Sequence, residues 1–204
     1  MSRTTVVVAL ALLAWAAQAA PPADEADISV RAAQPAPPAD EVDISVHARK
    51  DGERVLIDVD FSVAATAVET WAVLTDYDNM ARFVSGLQAS RIINREGDTL
   101  VVLQKGNASR GPLSLSFENV REIVLAPMTE IRSRLLSGTF KASEFTTRVV
   151  DHGDSTQIVN HGEFIPNIWV PPVIGPPLIE AETRKQFQEL RAEILRRKTA
   201  GAQN

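Results

Sequence analysis

The sequence predicts an α+β fold in which one curved antiparallel sheet of about seven strands lies against a long C-terminal helix. Three observations predict this fold. Apolar and polar residues alternate at strand spacing through most of the chain between residues 43 and 164. No helical pattern separates the later strands, which is typical of an antiparallel sheet. The last segment, ending near Lys198, instead places apolar residues at helical spacing.

The N-terminal residues are predicted to lie outside this fold. Arg3 precedes an apolar run from Val6 to Ala17, and Ala17-Gln18-Ala19 is typical of a signal-peptidase site. The run is shorter than the roughly 20 residues that span a bilayer. Residues 1–19 are therefore predicted to be a cleavable signal peptide, and the mature protein to be soluble and periplasmic.

A ten-residue repeat follows the predicted signal peptide. The segment Pro21 to Val30 recurs with one change as Pro37 to Val46. Two copies are too few for a repeat architecture, so residues 20–41 are predicted to be a flexible linker rich in Pro, Ala and Asp. The domain is predicted to span residues 42–198, and residues 199–204 to form a disordered tail.

Composition excludes several classes of protein. The 204 residues include no cysteine, so disulfides, thiolate metal sites and a lipid-modified N-terminal cysteine are excluded. The formal net charge of −5 argues against a nucleic-acid partner, because phosphate binding needs a basic surface. We expect a monomer without a cofactor.

The first hairpin and helix have specific local signals. Alternating segments at 43–49 and 54–61 flank Asp51-Gly52, a pair typical of a two-residue hairpin turn. Thr66-Ala-Val-Glu69 is a capping box, which predicts a helix from there to about Thr75. This helix is expected to bury the apolar residues Val68, Trp71, Ala72 and Leu74. A second, short helical turn is predicted over 79–84.

The later elements follow from alternation and turn residues. Strands are predicted at 89–95, 100–105, 113–125, 131–140, 143–150 and 156–164. The terminal helix is expected to turn one apolar side towards the sheet: Leu178, Ala181, Phe187, Leu190 and Ile194. A sheet that curls around a single helix cannot be filled by it along its whole length. The fold therefore predicts a cavity with apolar walls.

The same residues carry a family resemblance. The segment Val68-Glu-Thr-Trp71-Ala-Val-Leu-Thr-Asp76-Tyr77, continuing through Phe83-Val84-Ser-Gly86-Leu87, resembles the START-like polyketide cyclase and lipid-transport superfamily, most closely its coenzyme Q-binding START-type branch. Trp169-Val-Pro-Pro172, before the last helix, extends the resemblance, which covers residues 42–198. It implies a helix-grip fold with an internal tunnel for a lipid, quinone, sterol or polyketide.

Candidate pocket residues lie in three regions, and ordinary core packing is the alternative for each. Large apolar and aromatic side chains can form a cavity wall. The Pro-rich connector 165–179 could form the cavity mouth, contact a membrane transiently, or pack as a stiff segment under the helix. The candidates are Trp71, Tyr77, Met80, Phe83, Leu87, Leu115, Phe117, Trp169, Val173, Ile174, Leu178 and Phe187.

Candidates for catalysis are few. His161 and Glu163 are two residues apart on one predicted strand, so both point to the same side of the sheet. They could form an acid–base pair or belong to the outer face, and Arg132 has the same two alternatives. No spacing of His, Asp and Glu matches a metal site, and neither a nucleophile elbow nor a phosphate-binding Gly-rich loop occurs.

These observations lead to one main functional hypothesis and two alternatives. The main hypothesis is an exported carrier that holds a hydrophobic small molecule in an internal cavity. The first alternative is an enzyme similar to polyketide cyclases or dehydratases, which requires an acid or base inside the cavity. The second is an interaction module without a ligand, which requires a cavity filled by side chains.

Overall fold

Strands and helices occur in the predicted order. The computed structural model describes residues 44–110, 113–167, 170, 173 and 175–203, with side chains described except at 108–110 and 113–115. The predicted signal peptide and linker lie outside these residues. The elements are β1 Ser45–Asp51, β2 Arg54–Val63, α1 Ala67–Leu74, a 3-10 helix Met80–Arg82, β3 Leu87–Glu96, β4 Thr99–Arg110, β5 Leu113–Ala126, β6 Glu130–Gly138, β7 Phe140–Asp151, β8 Thr156–Pro166 and α2 Gly175–Gly201.

All eight strands belong to one antiparallel sheet with the order β1-β2-β8-β7-β6-β5-β4-β3. The sequence predicts about seven strands, and the described sheet has eight. In this sheet β2 pairs with β8 and so joins the first hairpin to the six-stranded meander. The sheet curves around α2, which packs against β1, β2 and α1. The arrangement confirms the predicted α+β helix-grip fold. Among the described helices, none combines the length and apolar character that crossing a membrane requires.

The capping box at the start of α1 is confirmed. The Thr66 hydroxyl accepts from the Glu69 amide at 3.3 Å, and the Glu69 carboxylate accepts from the Thr66 amide at 2.8 Å. The predicted buried face is wrong in part, because Val68 is 62% exposed and Ala72 is exposed as well, whereas Trp71 and Leu74 are buried as predicted. The helix instead turns Ala67, Thr70 and Trp71 inward, a set at helical i, i+3 and i+4 spacing.

The helix α2 begins at Gly175, within the predicted connector 165–179, and continues past its predicted end near Lys198. Gly175 lies so close to Val170 that an added Cβ would meet the Val170 Cγ1 at 2.1 Å, which favours glycine at this first position. The helix continues to Gly201, so residues 199–201 are helical rather than part of a disordered tail. Its buried apolar side chains are Phe187, Leu190 and Ile194.

An ion-pair cluster joins α2 to the end of α1. The Glu193 carboxylate, on the buried side of α2, accepts from Arg196 and Arg197, each at 2.7 Å. Arg197 also donates to Asp76 at 2.7 Å. The hydrogen bond from Arg196 outweighs burial and, with Arg197, lowers the pKa of Glu193 to about 2. The two helices are therefore linked by carboxylates that remain ionised in mild acid.

Two glycines allow phenylalanine rings to lie flat on neighbouring strands. Gly162 on β8 pairs with Phe145 on β7, and a Cβ at Gly162 would lie 2.1 Å from the Phe145 ring. Gly106 on β4 pairs with Phe117 on β5 in the same way, with a ring atom at 2.5 Å. Both rings cover strand backbone on the concave side of the sheet because no side chain occupies that space.

The Glu193 cluster predicts a pH dependence of stability. The folded-state pKa lies below the usual value of 4.5, so the unfolded state binds more protons in acid. The stabilisation is therefore complete above about pH 5 and lost as the pH falls towards 2. We expect Glu193→Gln to flatten the decline in unfolding free energy over this range, measured by urea denaturation. Glu122→Gln, at an ion pair on the outer face of the sheet, is the matched control. Equal pH profiles for Glu193→Gln and the wild type would contradict the prediction.

The packing at Gly162 predicts a large effect of one methyl group. Gly162→Ala should displace the Phe145 ring and lower the unfolding free energy by about 1–3 kcal/mol, because the added atom has no space. Gly86→Ala is the control, since the nearest atom to an added Cβ would be the Asn107 carbonyl oxygen at 3.9 Å, an ordinary van der Waals contact. Equilibrium denaturation of both variants measures the difference, and equal stabilities would show that the ring does not depend on Gly162.

Candidate functional site

A cavity of about 750 Å³ lies between the concave face of the sheet and α2. This volume is within the range of about 300–1,000 Å³ typical of small-molecule sites. Its walls are mainly apolar and come from β2 to β8, α1, the 3-10 helix and α2. The apolar lining residues include Ile57, Leu87, Phe117, Ile123, Ile131, Phe140, Phe145, Phe164, Leu178, Ile179, Phe187 and Leu190.

The position of the cavity follows from the way α2 meets the sheet. From Phe187 towards its C-terminal end, α2 packs into the interior. Phe61 and Phe187 meet edge to face at 5.7 Å, and Ile194 is fully buried. Near its N-terminal end, Leu178 and Ile179 are only half-buried and line the cavity. The helix thus closes one part of the concave space and leaves the other part open.

A second recess, of about 630 Å³, lies where α1 and α2 meet. It is lined by Asp76, Arg82, Phe83 and the ion-paired residues around Glu193. Its carboxylates already accept hydrogen bonds from Arg196 and Arg197. Because these charges satisfy one another, the larger apolar cavity is the better candidate for a ligand site.

The structure brings six of the predicted pocket residues to the large cavity: Tyr77, Met80, Leu87, Phe117, Leu178 and Phe187. Trp71 is buried in the core on the inner face of α1 and does not line it. Phe83 lines the smaller recess, where the Arg197 guanidinium lies 5.3 Å from its ring.

The remaining predicted pocket residues belong to two segments. Val173 is 83% exposed and does not line the cavity. Trp169 and Ile174 lie outside the described residues, as does the side chain of Leu115. From the Pro-rich connector and its flanks, Pro166, Val170, Gly175, Leu178 and Ile179 line the cavity.

Arg121 on β5 is a charged side chain that lines the cavity, and it is not among the predicted pocket residues. Its guanidinium Nε donates to Ser133 at 2.6 Å and its Nη1 to Ser143 at 3.1 Å. The guanidinium also lies 5.5 Å from the centre of the Phe145 ring. The Nη2 atom is buried and has no hydrogen-bond partner among the described residues. Burial lowers the pKa of Arg121 to about 10, so the group is cationic at neutral pH.

A sequence signal for Arg121 exists. Phe117, Asn119, Arg121 and Ile123 alternate with outward residues along β5, and all four line the cavity. An arginine at an inward position of a half-apolar strand breaks the pattern expected of a core. Its tertiary partners Ser133 and Ser143, on β6 and β7, could not be identified from the spacing along β5.

Tyr77 is the other titratable group deep in the cavity. It follows α1, is 7% exposed, and lies close enough to Arg121 for the two groups to interact electrostatically. Burial raises the pKa of its phenol well above the usual value of 10. The phenol is therefore protonated at neutral pH and can donate a hydrogen bond.

Three other polar side chains that line the cavity have protein partners. Asn160 donates to Thr147 at 2.8 Å, and Gln104 donates to Ser90 at 3.3 Å. The Asn119 amide oxygen accepts from the Thr139 backbone at 3.0 Å. These groups stabilise neighbouring strands, whereas one nitrogen of Arg121 is left without such a contact.

The predicted acid–base candidates lie on the outer face of the sheet. His161 pairs with Asp58 at 2.5 Å and Glu163 with Arg54 at 2.7 Å, all with exposed side chains. Arg132 pairs with Glu130 and is 65% exposed. Across the described part of the chain, no group of three His, Asp or Glu side chains could hold a metal ion.

Comparison with solved structures identifies the same fold in proteins of low sequence identity. An aromatase/cyclase, Zhui, from Streptomyces sp. R1128 matches with a TM-score of 0.60 and 17% identity over 71% of this chain and 95% of its own. A STAR-related lipid transfer protein from Xanthomonas axonopodis matches with a TM-score of 0.62 and 12% identity over 78% of this chain and 96% of its own. A START superfamily protein from Mycobacterium smegmatis has a TM-score of 0.56 and 16% identity over 70% and 95%. At these identities the matches show the fold alone.

A search of curated proteins finds no significant match. The sequence profile of one family matches residues 54–195, which include β2, all the later strands and most of α2. This match spans the elements that build the cavity. The chain belongs to the polyketide cyclase/dehydrase and lipid transport family.

Proposed function

We propose that this protein binds a hydrophobic small molecule, such as a lipid or quinone, and carries it without chemical change. The observation that supports this proposal is the apolar cavity of about 750 Å³ between the sheet and α2. Burial of an apolar ligand there contributes roughly 25 cal/mol per Å² of apolar surface before the costs of ordering it are subtracted. Family membership supports the same class of ligand.

The opening of the cavity lies beside α2. Ser85, Lys185 and Gln186 line the cavity and are exposed to solvent. Ser85 donates twice to Glu189, through its hydroxyl at 2.5 Å and its amide at 2.9 Å, and so links the loop before β3 to the helix. A ligand that enters here requires this link to open or the nearby connector to move.

Catalysis has less support than binding. The predicted acid–base residues are on the outer face. The raised pKa of Tyr77 keeps its phenol protonated at neutral pH, so no phenolate is available to act as a general base. The lining carboxylates Glu182 and Glu189 are on α2, and Glu189 already accepts from Ser85. A ligand-free interaction module requires a filled interior, which the open cavity does not support.

We also propose that the chain is exported. The charged start, apolar run and Ala17-Gln18-Ala19 motif favour a signal peptide over residues 1–19, and the Pro-rich segment 20–41 would then be a linker to a domain spanning 42–198. Val173 is 83% exposed and lies in the chain between the lining residues Val170 and Gly175, which supports transient membrane contact during ligand exchange.

A cavity-filling substitution tests the binding proposal. We expect the wild type to bind the uncharged dye Nile red and long-chain quinones, and its Tm to rise with ligand concentration by mass action. Leu178→Trp should weaken binding by about tenfold or more, because the indole occupies ligand volume. Val68→Trp, on the exposed side of α1, is the control and should bind normally. An unchanged Tm with a broad panel of lipids and quinones would contradict the proposal.

Export is tested separately. Expression of the full chain in a Gram-negative host should give a periplasmic protein that begins at Ala20, because cleavage follows Ala19. Intact-mass spectrometry of the periplasmic fraction measures the loss of residues 1–19. An intact chain confined to the cytoplasm would refute the predicted signal peptide.

A further inference from the structure

We propose that Arg121 binds the acidic head group of the ligand, so that the carried molecule is an amphiphile with one carboxylate-like negative charge and an apolar tail. The inference rests on the proposed binding function and adds the chemical class and the orientation of the ligand. It follows from a half-buried arginine whose Nη2 atom is fully buried and whose described contacts include no carboxylate.

The charge of Arg121 is not balanced by a contacting carboxylate in the described part of the chain. Its hydrogen-bond acceptors, Ser133 and Ser143, are neutral hydroxyls, and its other contact is the face of Phe145. By contrast, Arg134 on the outer face of the adjacent strand pairs with Glu122 at 2.8 Å. A buried charge without a counter-charge is costly, and a bound anion would offset that cost.

The geometry of the guanidinium matches a carboxylate. Five N–H donors point outward in one plane, and the two serines use one from Nε and one from Nη1. These two bonds hold the plane in place and leave both Nη2 donors unpaired among the described residues. A planar anion with two oxygens is the preferred partner of such a fixed fork.

The other charged groups of the cavity favour a single negative charge. Glu182, Lys185 and Glu189 line it from α2, and Lys185 is exposed at the opening. Among the described strand residues that line the cavity, Arg121 is the charged one, so the sheet side of the cavity supplies one positive charge. A doubly charged phosphate would keep one charge uncompensated between apolar walls, whereas a carboxylate would be neutralised.

The placement of Arg121 on the sheet also orients the ligand. Large apolar side chains also line the cavity, with Phe117 and Phe145 on the sheet and Leu178 and Ile179 on the helix. An acidic head at Arg121 places the tail against these residues. The neutral phenol of Tyr77 also lines the cavity, lies close enough to Arg121 to interact with it electrostatically, and is a second donor for a head group.

Two probes that differ only in the head group test the inference: hexadecanoic acid and hexadecanol. Their dissociation constants are measured at pH 8 by displacement of Nile red from the wild type, Arg121→Met and the outer-face control Arg132→Met. We expect the wild type and Arg132→Met to bind the acid about tenfold or more tightly than the alcohol, as a charge-assisted hydrogen bond would give. In Arg121→Met this preference should disappear while the alcohol binds as before.

The outcomes separate the two proposals. Equal binding of acid and alcohol by the wild type, or a preference retained in Arg121→Met, would overturn the role of Arg121 and leave the carrier function intact. No binding of dye, acid or alcohol would overturn both proposals.

A measurement on the wild type alone covers the case in which Arg121→Met does not fold. Hexadecanoic acid labelled with carbon-13 at its carboxyl group is titrated by NMR in the bound state. A pKa below that of the same acid in detergent micelles supports the contact with Arg121, because a nearby cation favours the ionised form. A pKa at or above the micellar value would refute it.

Discussion

The helix α2 meets the sheet closely along only part of its length, and the site depends on this uneven contact. In the C-terminal half of the helix, the buried side chains Phe187, Leu190 and Ile194 pack into the concave space. From Pro176 to Gln186 no side chain of α2 is fully buried, although the sheet continues to curve beneath this stretch. A straight helix and a curved sheet cannot stay in contact everywhere, so the interior divides into a packed core and a cavity.

The two ends of α2 are held by different interactions. Apolar packing and the Glu193 cluster stabilise the C-terminal part. Near the other end, Glu180 accepts from the Ala48 amide at 2.7 Å. In the middle of the helix, Glu189 accepts from Ser85 through a hydrogen bond that is exposed to water. Exposed hydrogen bonds are opened at lower cost than a buried apolar core. The elements around the cavity mouth are therefore the parts of this fold best suited to move during ligand exchange.

Arg121 is the residue least explained by stability. An apolar side chain of similar volume would avoid the cost of burying a charge, and buried ionic groups replaced in this way are often neutral or stabilising changes. The surrounding residues nevertheless support the guanidinium: two serines orient it, and Phe145 lies beneath it because Gly162 provides the space for its ring. Such departures from local packing rules are concentrated at functional sites.

The sequence by itself determined the features that depend on neighbouring residues along the chain. The capping box at Thr66, the Gly52 turn and the inward side of α2 are local patterns, and the structure contains each of them. Alternation also identified the strands, because its period is a property of the single strand.

Only the tertiary structure decided which inward residues face a ligand space. Trp71 and Tyr77 are six positions apart and both buried, yet only Tyr77 lines the cavity. Arg121 satisfies the same alternation as Ile123, but its importance arises from Ser133, Ser143 and the gap beneath α2. These differences depend on the distance between two elements that are far apart in the chain, and a periodic pattern along one element carries no information about that distance.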